Sequence, residues 1–176
     1  MTTSALERPA STEYASFFAG YVSLVPESDA LAVLAAQPAE LQSLAKKVPA
    51  DLESHRYAPG KWSVREVFGH LTDGERVFGY RAFCISRGDQ ASLPGFDEQS
   101  YIASANYDEI PLRDLAADFA ALRQSNLAVL RRLQPAEWTR TGTANGTPVT
   151  VRALAFVMAG HVRHHLGVLR GRYDVQ

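Results

Sequence analysis

The chain has 176 residues, with 18 lysines and arginines against 19 aspartates and glutamates, and 46% of it is hydrophobic. That profile describes one soluble globular domain with a sizeable core. It excludes electrostatic capture of nucleic acid, because the basic residues form only short pairs such as Arg131-Arg132. The single cysteine, Cys84, excludes a disulfide framework within the chain. The N-terminal residues lack an apolar signal core, and no stretch approaches the roughly 20 apolar residues of a bilayer span. A cytoplasmic protein without membrane contact is expected.

Residues 1–11 are expected to form a flexible N-terminus, leaving residues 12–176 as one domain. From Thr12 to about Leu24 an aromatic-rich segment (Tyr14, Phe17, Phe18, Tyr21) has helical spacing and ends before Pro26. The first long helix starts at the cap pair Ser28-Asp29 and carries Leu31, Leu34, Leu41, Leu44 and Val48; Pro38 kinks or interrupts it, and Pro49 ends it. A connector with Pro59-Gly60 follows. Ser63-Val-Arg-Glu66 then has the form of a capping box, in which each side chain satisfies the other residue's backbone amide. The second long helix is expected from Val64 to about Arg87, stopped by Gly88.

Residues 88–110 read as a long loop, and loops of that length inside a domain are often functional. The third long helix runs from about Leu112 to Leu133, with Leu115, Phe119, Leu122, Leu127 and Leu130 as its stripe and Pro135 as its stop. Residues 136–148, with Asn145-Gly146 and Pro148, form a turn-rich connector with room for a short hairpin. The fourth long helix spans about Val149 to Arg170. No run of alternating strand pattern stands out. The expected fold is therefore all-α: a four-helix bundle with long connections between the second and third and between the third and fourth helices, which leave room for a path other than up-down-up-down.

The fourth helix holds the most informative pattern, Ala-Gly-His-Val-Arg-His-His-Leu at 159–166. At about 100° per residue, His161 and His165 fall at the centre of the stripe built by Leu154, Met158 and Val168, whereas His164 lands about 80° to one side. Gly160 offers a close helix approach. On the second helix, His70 borders the stripe of Val67, Leu71, Gly74 and Phe78 and can point inward. Polar rings on a core face are costly unless something binds them. Three imidazoles from two facing helices suit Zn²⁺, Ni²⁺, Fe²⁺, Mn²⁺ or Co²⁺, and three protein ligands leave open positions for water or substrate. Hydrogen-bonded core histidines are the plain alternative, since a pair four residues apart also arises by chance.

Lys61-Trp-Ser-Val-Arg-Glu-Val-Phe-Gly-His-Leu-Thr-Asp-Gly-Glu75 resembles the first signature of the DinB-like (YfiT-like) superfamily, and Ala159–Leu166 resembles its second. Leu93-Pro-Gly-Phe-Asp97 and Gly142-Thr-Ala-Asn-Gly146 fit the same layout, so the resemblance covers most of residues 20–173. It implies a four-helix bundle in which His70, His161 and His165 hold a divalent metal ion (Zn, Ni, Fe or Mn). It also implies a homodimer, and relatives that include thiol-dependent transferases and a maleylpyruvate isomerase.

Asp73 and Glu75 are candidates to orient His70 or to act as a base, against the plain reading of solvated helix charge. Arg81 lies on the side of His70 almost three turns along and is a candidate for an anionic substrate, although a salt bridge is the plainer role. Trp62, Phe96 and Tyr101 are candidates for the walls of a substrate site, with bundle-end and loop packing as the alternative. Cys84, fourteen residues after His70 and about 20 Å along the helix, is too far to share a ligand set and reads as a buried, inert thiol. His55 reads as a surface histidine or, less plainly, as an acid at the mouth of the pocket.

The function expected first is a metal-dependent transferase that presents a low-molecular-weight thiol of the bacillithiol type to a small electrophile. A metal-dependent hydrolase with activated water is the second expectation. A stress-related metal-binding bundle without turnover is the third, since metal binding to the native state stabilises it whether or not chemistry follows.

Overall fold

A computed structural model describes residues 6–173 and residue Val175. In chain order the helices are α1 (Ala19–Ser23), α2 (Ala30–Lys47), α3 (Val64–Ser86), α4 (Glu98–Ser104), α5 (Leu112–Leu130), α6 (Pro135–Trp138) and α7 (Val151–Arg172). The strands are β1 (Ser92–Leu93), β2 (Thr141–Ala144) and β3 (Thr147–Thr150). Local chemistry sets the ends of the long helices. Asp29 accepts from the Ala32 amide at the start of α2, and Thr150 accepts from the Ala153 amide at the start of α7. At α3 the capping box forms as the sequence requires: the Glu66 amide donates to Ser63 Oγ at 3.0 Å and the Ser63 amide donates to Glu66 Oε2 at 2.7 Å.

The four long helices, α2, α3, α5 and α7, close a ring in the order α2–α5–α3–α7. α2 and α3, neighbours in the chain, therefore stand on a diagonal, and so do α5 and α7. This is the departure from up-down-up-down that the long connections allow.

The apolar core is divided. One cluster joins Leu34, Phe78, Leu127 and residues 153–159 of α7. The other joins Leu41, Leu71, Phe119, Val162 and Leu166. Between them every long helix contributes buried polar side chains, among them Gln37, Glu75, Arg123 and His161. A polar belt thus crosses the waist of the bundle, and His70 and His165 lie beside it.

The connector after α6 is not bare: it holds the short hairpin for which the sequence left room, β2 pairing antiparallel with β3, and β1 adds to β2 in parallel. Asn145 (φ 51°) and Gly146 (φ 72°) make the tight hairpin turn, whose left-handed backbone favours these two residue types. The four-residue strands are too short to show alternation, which is why the pattern was silent. The 88–110 segment is not a bare loop either. It contains β1, α4 and a 3-10 turn at Tyr107–Glu109, with Asp97 capping α4 through the Gln99 and Ser100 amides.

Of the N-terminal segment 1–11, residues 1–5 lie outside the described residues. The remainder is anchored rather than free, because Arg8 donates to the Val25 and Val22 carbonyls at 2.7 and 2.9 Å and Leu6 packs on the core. The aromatic stretch after it forms two 3-10 turns and α1 instead of one continuous helix.

Pro38 neither breaks nor ends α2. A proline inside a helix deprives the carbonyl four residues earlier of its donor, and here Arg123 Nη1 donates to that carbonyl, of Leu34, at 3.1 Å.

Candidate metal centre

His70 comes from α3, and His161 and His165 come from successive turns of α7, its neighbour in the ring. One nitrogen from each ring lies within 4.8 Å of the others. The Nε2 atoms of His70 and His161 stand 2.9 Å apart. Two nitrogens each about 2.1 Å from a shared ion stand about 3 Å apart at a right angle, so this spacing suits two ligands of one ion. Donors sharing an ion cannot stand more than about 4.2 Å apart, so a pair at the 4.8 Å limit would have to approach by roughly half an ångström for one ion to hold all three.

The rings are 6%, 4% and 8% exposed in chain order. Burial pushes the His70 pKa down to about 4, and it holds His161 and His165 well below the ordinary histidine value, with the neighbouring imidazoles adding to the effect. All three are therefore neutral at neutral pH, the protonation state a metal requires. A borderline divalent ion fits this all-nitrogen donor set.

Glycines make the convergence possible. Gly74 lies one turn beyond His70, and a Cβ there would stand 2.7 Å from His161 Cε1. At Gly160 a Cβ would overlap the Tyr21 carbonyl, so α1 lies directly on α7 beside the first histidine.

Aromatic side chains wall the trio. Trp62 leans on His70 with ring centres 4.6 Å apart, Phe96 stacks over His70 at 6.4 Å, and Tyr101 packs edge-on against Phe96 at 5.2 Å. Trp62 Nε1 donates to Gln99 Oε1 at 3.2 Å, which ties this wall to α4. Tyr21 and Phe78 stand edge-on to His161 at 5.4 and 5.5 Å; sequence reasoning gave neither a role at the site.

Neither carboxylate candidate serves the trio. Glu75 is 2% exposed and gripped by Arg123 through two bonds of 2.7 Å, and Asn126 Nδ2 donates to it as well. Asp73 is half-buried beside Tyr107, with its pKa raised by that burial. Among the described residues His70 Nδ1 is buried without a partner, so neither acid orients that ring. The Arg123 network continues to Gln37, which accepts from Arg123 Nη1 at 2.7 Å and donates to the Ala159 carbonyl at 2.7 Å. Among the described residues the plain salt bridge expected for Arg81 is also missing: its guanidinium donates to the Pro94 carbonyl at 2.6 Å instead.

His164 is exposed at the rim, 4.9 Å from His165 and 5.4 Å from Tyr21 between ring centres. His55 is exposed against Tyr173, not against the trio. Cys84 is a buried free thiol. Among the described residues no helix is long and apolar enough to cross a membrane.

A family model described as the DinB superfamily matches residues 34–169. None of the curated proteins matches the chain. Among solved structures, YfiT from Bacillus subtilis is 17% identical with a TM-score of 0.73, over 96% of this chain and 93% of that one. YfiT is described as a probable metal-dependent hydrolase with an unusual four-helix bundle topology. A DinB-like protein from Bacillus subtilis, YjoA, is 23% identical with a TM-score of 0.58, over 82% of this chain and 89% of that one. At these identities the two likenesses establish the shared fold.

Proposed function

The chain belongs to the DinB superfamily, and on that premise we propose that it is a metal-dependent enzyme whose ion is held by His70, His161 and His165. The observation that carries this reading is the set of three buried, neutral imidazoles whose donor atoms face one another with no carboxylate among them. When bound, a divalent ion (Zn, Ni, Fe or Mn) supplies Lewis acidity that lowers the pKa of a thiol or water at its open position.

The chain's own residues do the rest. The imidazoles stay deprotonated because burial keeps their pKa values low. Trp62 and Phe96 cover the His70 side and limit access of bulk water to it.

We favour transfer of a low-molecular-weight thiol to a small electrophile. A thiol starts from a pKa of about 8.5 and needs no separate base once it is made more acidic, and the two candidate carboxylates, Asp73 and Glu75, are engaged elsewhere. Hydrolysis is the second reading. The likeness to YfiT favours it, and His164 at the rim would replace the missing carboxylate as proton acceptor. The reaction partners are small molecules in either case, and a cytoplasmic homodimer is the setting we propose for it.

The test is reconstitution of untagged protein with Zn²⁺, Ni²⁺, Mn²⁺ or Fe²⁺. It is then assayed with bacillithiol plus a haloarene or epoxide, and in parallel with esters, amides and thioesters. Turnover that His161→Ala removes together with tight metal retention is the expected result. Activity no higher than in His161→Ala, for every metal and both substrate sets, overturns the reading.

A further inference from the structure

Beside the trio lies a cleft of about 320 Å³ lined by Arg76, Tyr80, Arg81, Pro94, Phe96 and Tyr101 among others. That size is at the small end for ligand pockets. Arg81 is the unusual member. It is 4% exposed, yet no carboxylate pairs with it among the described residues, and its one side-chain hydrogen bond goes to the Pro94 carbonyl. Burial alone accounts for the lowering of its pKa, with no acidic neighbour to offset it. An arginine has five N–H donors in a planar fork, and a buried cation without a counter-ion is costly. The other buried arginine, Arg123, shows how this chain satisfies such a group internally, with a bidentate carboxylate and two carbonyl-type acceptors. Arg81 has been left most of its fork.

The cleft also has a direction. Arg81 lies eleven residues beyond His70 on the same face of α3, about 16 Å along the axis. Side chains on a helix lean toward its N-terminus, which aims the guanidinium back toward the histidines. Phe78 lies between them, edge-on to His161 and with the Arg81 guanidinium 5.8 Å from its ring centre. Phe96 belongs to both places: it stacks over His70 and lines the cleft. Tyr80 and Tyr101, 57% and 47% exposed, add aromatic surface at the opening.

We propose that this cleft receives the carboxylate end of a small one-ring organic acid, with Arg81 as its anchor, the aromatic walls around its ring, and its reacting end toward the three histidines. A carboxylate is favoured over a dianionic phosphate because Arg81 is the one buried cation of the lining, the second arginine, Arg76, being exposed to solvent that screens it, and the remaining walls are largely aromatic and apolar. The orientation toward the histidines rests on the proposed metal-dependent reading; the anion site itself does not.

The test uses the full chain freed of metal by chelation, in a ligand-detected NMR titration with phenylacetate, phenylacetamide and phenyl phosphate. Phenylacetate is expected to bind about tenfold more tightly than the uncharged amide, the difference a hydrogen bond to a charged group supplies. Arg81→Met should reduce phenylacetate to the level of the amide, and Arg81→Lys should retain part of the preference. The comparison of acid with amide on the unaltered chain keeps the proposal testable if Arg81→Met folds poorly. Equal binding of acid and amide, no binding of either, a preference that survives in Arg81→Met, or tighter capture of phenyl phosphate would each overturn it. Metal content is measured separately. Failure of the metal site with the acid preference intact therefore defeats the metal reading and leaves the anion site standing.

Discussion

Two buried polar groups share the waist of this bundle, and they are treated in opposite ways. Around Arg123 every guanidinium nitrogen has an acceptor: Glu75 takes two bonds, Gln37 and the Leu34 carbonyl take two more, and Asn126 completes the carboxylate. Around His161 the partners are two more imidazoles, and one ring nitrogen of His70 has none among the described residues. Buried polar groups are normally satisfied. The saturated group is therefore a structural fastening across α2, α3, α5 and α7, and the unsaturated one waits for something the chain does not itself supply.

The largest test of that contrast is to cut each group. Arg123→Met strands Glu75 as an uncompensated buried charge and should cost about 3–5 kcal/mol in urea unfolding. His161→Ala in metal-free protein should cost clearly less, about 1–2 kcal/mol, because no charge is orphaned. Equal losses would break the comparison. A double change, Arg123→Met with Glu75→Gln, should recover part of the loss and so separate charge from packing.

A finer cut is Gly74→Ala. Its methyl would press on His161 Cε1, so the trio would keep its donors but lose their alignment. Metal affinity should fall about 10–100-fold, as when a ligand's supporting groups are disturbed. The Arg123 network and the unfolding midpoint of the metal-free chain should change far less. Competition against a chelator of known affinity reads the first, and unaltered affinity would remove His161 from the ligand set.

The smallest effect concerns a satisfied hydroxyl at the bundle end, where Tyr173 donates to the Trp62 carbonyl at 2.6 Å. Burial pushes its pKa up to about 12. An acid whose folded pKa is raised contributes stability that is complete below its ordinary value near 10. That contribution is lost as pH rises through the folded value. Unfolding free energy should thus decline between about pH 10 and 12, and Tyr173→Phe should flatten that slope. The same change should lower stability at neutral pH by about 1 kcal/mol through the missing hydrogen bond. An identical alkaline slope in the variant would assign the decline to other groups.

The frame was legible because its signals are local and periodic. Ser63 and Glu66 marked the start of α3, and the stripe through Leu154, Met158, His161 and His165 marked the buried face of α7. The convergence of His70 with that stripe followed from the resemblance and from face geometry together. Other features were silent for definite reasons. The parallel pairing of Ser92 and Leu93 with Thr143 and Ala144 joins short segments far apart in the chain, and neither segment announces the other.

The fate of Glu75 depended on Arg123, 48 residues away. A signal for that pair was present: Arg123 occupies the middle of the series Phe119, Arg123, Leu127, an arginine on an apolar stripe, and such a residue needs a buried acid. The partnerless state of Arg81 had no such signal, because the lack of a counter-ion is visible only when every neighbour is in place.

His70 and His161 are 91 residues apart in sequence, and they meet only where α3 docks on α7. An unfolded or half-assembled chain offers an ion no more than the single pair His161 and His165 on one helix. Tight loading is then a late event in the folding order, after the most distant segments have found each other. A held ion would act as a rivet set once the frame has closed, slowing its reopening more than it hastens its formation.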